Sequence, residues 1–407
     1  MQAKLSRFRS DIRANVALLF SLAALPVFGV VGAAVDYTRV SRMQVQIQAA
    51  LDSASLAVAK DSRSLSATAL QQAANRAFAG NFTPPSDLTL GTLGVTRDGN
   101  TIRLSVSGTL QTTIAATMGV SSMPLTVVSQ TSWNEPKIEI ALVLDNTGSM
   151  AGSGKMAALK TAAIDLINEL EAARVSSDQV KIAVVPFVNQ VRIATSFRNE
   201  AWMRFDGTGL ASNLVTTKAA WTGCLTDRDQ PHDIADTAPT TNAARYRGVK
   251  CANSGLATVQ PLTTNFSALR ATINAMQPVG TTNITIGVQT GLAVMSSGLP
   301  FAETGSSPDV LRYMILLTDG DNTESRYVPF SNYTAAPLMD PRTRDACNAV
   351  KAAGITLFTV RVIDGNQNLL RACATDPSMY FNVTSSGGIG DAFKAITSMI
   401  KRMRLSA

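Results

Sequence analysis

Apolar positions follow three successive patterns along the chain, and each predicts a different kind of element. Val16 to Val35 form an uncharged run, VALLFSLAALPVFGVVGAAV. As a helix this run spans about 30 Å, the thickness of a bilayer's hydrocarbon core, and membrane helices tolerate a proline such as Pro26. Beyond it, Val40, Met43, Ile47, Leu51, Ala54 and Val58 recur at three-to-four spacing, while Gln44, Gln48, Asp52 and Ser55 fill another face. That is an amphipathic helix continuing outward from the first. Its apolar stripe is expected to pack on its own domain, the alternative being other single-span partners. An Ala-rich helix near 67–79 follows, with Gly80 as a left-handed cap. Residues 88–95, 101–110 and 125–132 then read as strands, with Asp98-Gly99-Asn100 as a turn.

From Lys137 short apolar runs alternate with helical stretches. Residues 138–144, 180–188, 311–318 and 355–363 are nearly continuous in apolar residues, as strands buried on both faces are. Helices are predicted at 155–173, 267–276, 284–295, 342–353 and 389–403. The alternation predicts an α/β fold built on a doubly wound, mostly parallel sheet. Residues 190–262 interrupt it with a polar insert, read as a surface excursion with its own minor core.

Charge sharpens the topology. Lys and Arg number 36 against 29 Asp and Glu, a net +7. The first 45 residues hold six of the basic residues and only Asp11 and Asp36 as acids. Four of the six precede the apolar run, so the positive-inside rule places residues 1–15 in the cytoplasm and the bulk of the chain outside. A cleaved signal peptide would have a shorter apolar core and a clearer small-x-small site than Gly32-Ala33-Ala34. No basic stripe with interleaved aromatics runs through the rest, so nucleic acid is excluded as a partner. His232 is the single histidine, which argues against a histidine metal centre or proton shuttle.

An open sheet binds ligands beyond the carboxyl ends of its strands. There the first strand is followed by Asp145-Asn146-Thr147-Gly148-Ser149, and the 311–318 strand by Asp319-Gly320-Asp321. Val279-Gly280-Thr281-Thr282-Asn283 adds a hydroxyl-rich loop before a helix. Asp145, Thr147, Ser149, Thr282 and Asp319 are expected to converge, and two carboxylates so placed repel unless something cationic lies between them. Oxygen ligands select a hard cation: Mg²⁺ first, with Mn²⁺ or Ca²⁺ as alternatives. Gly152-Ser153-Gly154-Lys155 is not a phosphate loop. Ser149 stands where its first glycine belongs and Met156 where Ser or Thr follows the lysine, which leaves Lys155 as an ordinary first-turn helix residue.

The motifs DNTGSM, GTTN and LLTDGD together resemble the metal-ion-dependent adhesion site (MIDAS) of von Willebrand factor A domains. The resemblance implies hydroxyl ligands from Thr147, Ser149 and Thr282. It also implies carboxylates from Asp145 and Asp319, bound directly or through water, and an open position for a partner's acidic residue. Thr147 replaces the usual serine. The segment from the basic start through Val35-Asp36-Tyr37 to Leu51-Asp52-Ser53-Ala54 is similar to TadE/TadG-like proteins of Flp pilus assembly, and the A domain suggests the TadG branch.

Four cysteines allow three pairings, of which Cys224–Cys251 and Cys347–Cys373 are expected. Each closes a short loop worth roughly 3–4 kcal/mol in the chain-entropy model, in an oxidising compartment. The expected organisation is a basic tail at 1–15, a transmembrane helix at 16–36, a pilin-like module at 37–133 and an A domain at 137–404 that includes the insert. The chain is then expected to be a single-pass bacterial inner-membrane protein, non-enzymatic, acting in assembly or adhesion of Flp/Tad pili. Its partners would be pilus or envelope proteins that offer an acidic residue, and other single-span assembly proteins. The alternatives are a scaffold whose A domain binds no metal and, more remotely, a metal-dependent hydrolase, for which no base and no G-x-S-x-G nucleophile elbow is present.

Overall fold

The computed structural model describes residues 12–59, 65–132, 136–205, 217–304 and 310–406. Residues 1–11 of the basic tail and 206–216 of the insert lie outside the described residues. The chain divides into two compact units, Met1–Glu135 and Pro136–Ala407.

In the first unit a single helix, α1 (Ile12–Ala59), runs 48 residues through Pro26. Helix α2 (Ala67–Asn81) starts at Ser66, whose side chain accepts from the Ala69 N–H. It continues past Gly80 and ends at Phe82 in extended backbone, so Gly80 is an interior residue and not the expected left-handed cap. Four antiparallel strands follow: β1 (Leu88–Leu90), β2 (Gly94–Asp98), β3 (Thr101–Gln111) and β4 (Ser122–Ser132). The predicted 88–95 strand is broken because β1 and β2 pair with opposite ends of β3 along one side of it. Alternate residues Ile102, Leu104, Val106, Leu125 and Val127 turn inward. There they share a core with Ile47, Leu51, Ala54 and Val58 of α1, so the amphipathic stripe packs on its own unit.

The second unit is a ten-stranded sheet with helices on both faces. Its centre is parallel, in the order β14 (Tyr380–Val383), β13 (Thr356–Val362), β12 (Val310–Thr318), β5 (Lys137–Asp145) and β6 (Val180–Phe187). Along β5, Ile138, Ile140, Leu142 and Leu144 face α3 (Lys155–Ala173), α4 (Phe266–Ala275) and α8 (Gly388–Ser406). Ala141 and Val143 face α5 (Ile284–Val294) and α6 (Ala335–Ala352).

The sheet as a whole is mixed: the longest ladders, at its centre, are parallel, and the antiparallel pairings come with the insert and its return. The chain leaving β6 turns within three residues into β7 (Val191–Arg192), too short a link for a parallel crossover, so the pairing is antiparallel. The insert continues the sheet with β9 (Cys224–Thr226), β10 (Tyr246–Val249) and β8 (Met203–Arg204), and β11 (Gln260–Thr263) returns antiparallel to β6. Helix α6 begins seven residues before the predicted start because it accommodates Pro341 in its interior. The short α7 (Gln367–Cys373) and β14 carry too few residues to show a period. Cys224 is bonded to Cys251 beside the β9–β10 pair, and Cys347 on α6 to Cys373 at the end of α7.

Candidate metal centre

The register of the sheet decides what meets at its edge. Leu317 of β12 is level with Leu144 of β5, so the next residues, Thr318 and Asp145, leave their strands side by side. The Thr318 hydroxyl donates to Asp145 Oδ2 at 2.6 Å, and the Thr147 N–H donates to Asp145 Oδ1 at 2.7 Å. The Ser149 hydroxyl donates to Asp319 Oδ1 at 2.5 Å and lies 2.9 Å from Thr147 Oγ1. One polar cluster therefore joins Asp145, Thr147, Ser149 and Asp319. The 279–283 loop is tied to it by backbone. Val279 N–H donates to Asn146 O at 2.9 Å, and Gly148 N–H to Gly280 O at 3.1 Å. Gly280 has φ +71°, and a side chain there would meet Asn253. A Cβ placed on Gly320 would lie 3.6 Å from Ser149 Oγ and 3.7 Å from Thr282 Oγ1, so both hydroxyls border the same small space. Thr281 turns the other way, donating to Glu324 Oε2 at 2.5 Å.

Both carboxylates are buried. Burial first, and then the charge of Asp319, push the Asp145 carboxyl up to about 6. A cation is present nearby: the Lys155 ammonium, itself buried, is in ion-pair contact with Asp319 Oδ2. That oxygen nonetheless accepts no hydrogen bond, so the lysine contact is one of charge without donor alignment. Lys155 opens α3, where the helix dipole disfavours a positive charge, so its burial depends on the acid it faces. It stands in the first turn of the helix, as the sequence suggested, but it is buried and paired and so not an ordinary residue there. The signal lay in the acid pair, which called for a positive group, and Lys155 follows the first motif within one turn of helix.

Among the described residues no group of three or more His, Cys, Asp or Glu side chains is placed to hold a metal. The rim offers two carboxylates and several hydroxyls instead. An all-oxygen set containing an acid oxygen without a donor fits a hard divalent cation in preference to a soft one.

The insert braces this rim through Asp227. Its carboxylate accepts from Asn283 Nδ2 at 2.9 and 3.1 Å and from Arg326 N–H at 3.0 Å. Asn283 follows Thr282 and caps α5, while Thr282 N–H donates to Thr323 Oγ1 at 2.8 Å. Asp227, Thr318 and Thr323 thus hold the loops that carry the candidate ligands. Thr318 lies within the LLTDGD motif, which assigns it no role, and no sequence motif marks Asp227 or Thr323, because each acts through a partner far along the chain.

Residues 14–61 match the family model for Flp pilus-assembly TadE/G-like proteins, and residues 239–395 match the von Willebrand factor type A domain. The chain carries both modules. The second match includes Thr282 and Asp319, whereas Asp145, Thr147 and Ser149 precede it. No curated protein matches the chain. Among solved structures, proximal thread matrix protein 1 of the mussel byssus is 14% identical with a TM-score of 0.36, covering 65% of this chain and 46% of its own. The pilus adhesin SpaC from Lactobacillus rhamnosus GG is 13% identical with a TM-score of 0.41, covering 78% of this chain and 35% of its own. The vWF domain of the type V pili tip protein Mfa5 from Porphyromonas gingivalis is 11% identical with a TM-score of 0.40, covering 66% and 96%. The chain spans less than half the length of the first two.

Proposed function

We propose that this chain, in which a TadE/G-like segment is joined to a von Willebrand factor A domain, is a membrane-anchored assembly or adhesion factor of Flp/Tad-type pili. In this reading it captures a protein partner through a divalent cation and performs no catalysis. The observation that carries the reading is the meeting of Ser149, Thr147 and both buried acids in one cluster at the strand ends, with Thr282 on its border. Asp145, Thr147, Ser149, Thr282 and Asp319 would hold the ion. The ion would supply a coordination position for a carboxylate on a pilus or envelope protein. Helix α1, long and apolar enough to cross a bilayer, would hold the protein in the bacterial inner membrane with its N-terminus cytoplasmic. The antiparallel sheet on α1 would serve as the pilin-like module facing other single-span assembly proteins.

The test is capture of envelope proteins by the detergent-solubilised chain, with Mg²⁺ and with EDTA. Asp145→Ala and Asp319→Ala are expected to abolish capture while the chain still folds. Equal capture by both variants and in EDTA overturns the proposal. A second reading is favoured by Lys155: its ammonium already faces Asp319, as it would in a scaffold that needs no ion. A Mg²⁺ or Mn²⁺ titration with no heat favours that scaffold.

A further inference from the structure

We propose that the loop between β3 and β4 is a second membrane contact, an apolar tip that beds into the lipid beside α1. Thr112 to Ser121 carries no charge, and the chain has none from Leu104 to Asn134. The loop folds back on α1 within the uncharged run. Met118 Cε and Sδ lie 2.6 and 2.7 Å from where a Cβ on Gly29 would be, and Ile114 lies against Gly32 in the same way. The two glycines are thus a cradle that a larger residue would fill. Gly29 is seven residues before Asp36, which is about 10 Å along a helix. If Asp36 marks the membrane surface, the Met118 side chain reaches roughly that far below it.

Ile114, Met118 and Val120 are nevertheless 39%, 61% and 48% exposed. On their outer side they continue the apolar surface of α1, where Phe28, Val30 and Val31 are exposed as well. The occupant that covers one surface therefore covers the other, and around a spanning helix that occupant is acyl chain. The backbone is prepared for such a place. The N–H groups of Thr113, Ile114 and Ala115 all donate to the Asp36 carboxylate, at 2.8–3.0 Å. Those of Thr117, Gly119 and Val120 donate to carbonyls inside the loop, and Thr112 N–H donates to Ser121 O. Irregular backbone enters lipid only when its polar groups are satisfied. The depth suits an interfacial element, which beds ~5–10 Å into the headgroup and acyl boundary.

The inference rests on the reading that residues 16–35 cross a membrane, and the experiment separates the two. All four cysteines are in disulfides, so an introduced cysteine is the single free thiol. The full chain is reconstituted in phosphatidylethanolamine–phosphatidylglycerol nanodiscs with a nitroxide at Phe28→Cys, Met118→Cys, Val120→Cys or Asp98→Cys. Collision with oxygen, which partitions into lipid, is compared with collision with a water-soluble nickel chelate. The expected oxygen-to-nickel ratio is several-fold higher at 118 and 120 than at 98, in the exposed β2–β3 turn, and approaches that at 28. Water-like ratios at both 118 and 120 with a lipid-like ratio at 28 overturn the inference and leave the anchor standing. A water-like ratio at 28 overturns the anchor and the inference together. Shielding of 118 and 120 from both reagents means that protein, not lipid, covers the tip, and also overturns it. Val120→Cys keeps the test decisive where the Met118 change disturbs the cradle.

Discussion

Two groups of acids in the second unit are neutralised very differently. In the insert, Asp229 pairs with Arg204 at 2.7 Å, Arg326 at 2.6 Å and Arg247 at 3.3 Å, and Asp233 pairs with Arg342. Burial raises the Asp229 carboxyl, but hydrogen bonds from Arg204 and Arg326 outweigh it and hold the group below its ordinary range. At the rim, the Lys155 ammonium pairs with Asp319, and Asp145 is left with a raised affinity for protons. The first cluster is already saturated with positive charge and serves as internal glue. The second is one positive charge short. Acidic residues alone do not make a cation site; the local shortfall of cations does.

The comparison can be broken at its saturated side with the largest effect. Asp229→Ala removes the carboxylate paired with two nearly buried guanidinium groups and is expected to cost about 3–5 kcal/mol in denaturant unfolding. A loss under about 1 kcal/mol would mean that the insert is not held by its charges. Replacing Cys224 and Cys251 by Ser, which opens a loop of 27 residues, is expected to cost about 3 kcal/mol. An unchanged midpoint would show that the charge network suffices alone.

At the rim the effects are smaller and depend on the ion. Mg²⁺ at a hundredfold its dissociation constant should stabilise the wild type by about 2.7 kcal/mol. In Asp319→Ala the stabilisation should vanish, and stabilisation that persists there would place the ion elsewhere. Lys155→Met removes a positive charge that competes for Asp319, so Mn²⁺ affinity measured by electron paramagnetic resonance should rise roughly tenfold. Unchanged or weaker binding would make the lysine a bystander to the site.

The rim should also show a pH dependence in EDTA. The Asp145 carboxyl is raised from 3.8 to about 6 on folding, so between those values the folded chain holds a proton that the unfolded chain releases. Its contribution to stability therefore falls as pH rises through that window, and its cost is complete above it. Asp145→Asn should be favoured over wild type at about pH 7.5, with the gap closing near pH 4. A gap independent of pH would remove the strain assigned to Asp145.

How much could be read in advance follows from the same contrast. Strands β5, β6, β12 and β13 and helices α3, α4, α5 and α8 declared themselves through continuous or periodic apolar runs, because their stability comes from burial against the layers beside them. The insert did not, because its strands are two to four residues long and its interior mixes scattered aromatic residues such as Trp202, Trp221 and Tyr246 with charge pairs and a disulfide. Asp145, Thr147, Ser149, Thr282 and Asp319 each occupy a strand end or loop that the pattern located, so their convergence was legible. Lys155 was passed over because its motif was compared with phosphate loops and not with the acids it faces. Asp227 carries no local signal and Thr318, though inside LLTDGD, none for its role, since each role is set by a partner from another strand or loop.

Helix α1 is unbroken from its apolar run to the centre of the first unit's core, a rod of roughly 72 Å. A flexible stalk would let a folded head swivel freely above a bilayer. A stiff shaft would not: with residues 16–35 across a bilayer as proposed, tilt of that end would set the attitude of the first unit's sheet, and a pull on the sheet would become a torque on the portion in lipid. Anchorage of this kind fixes a bearing as well as a position.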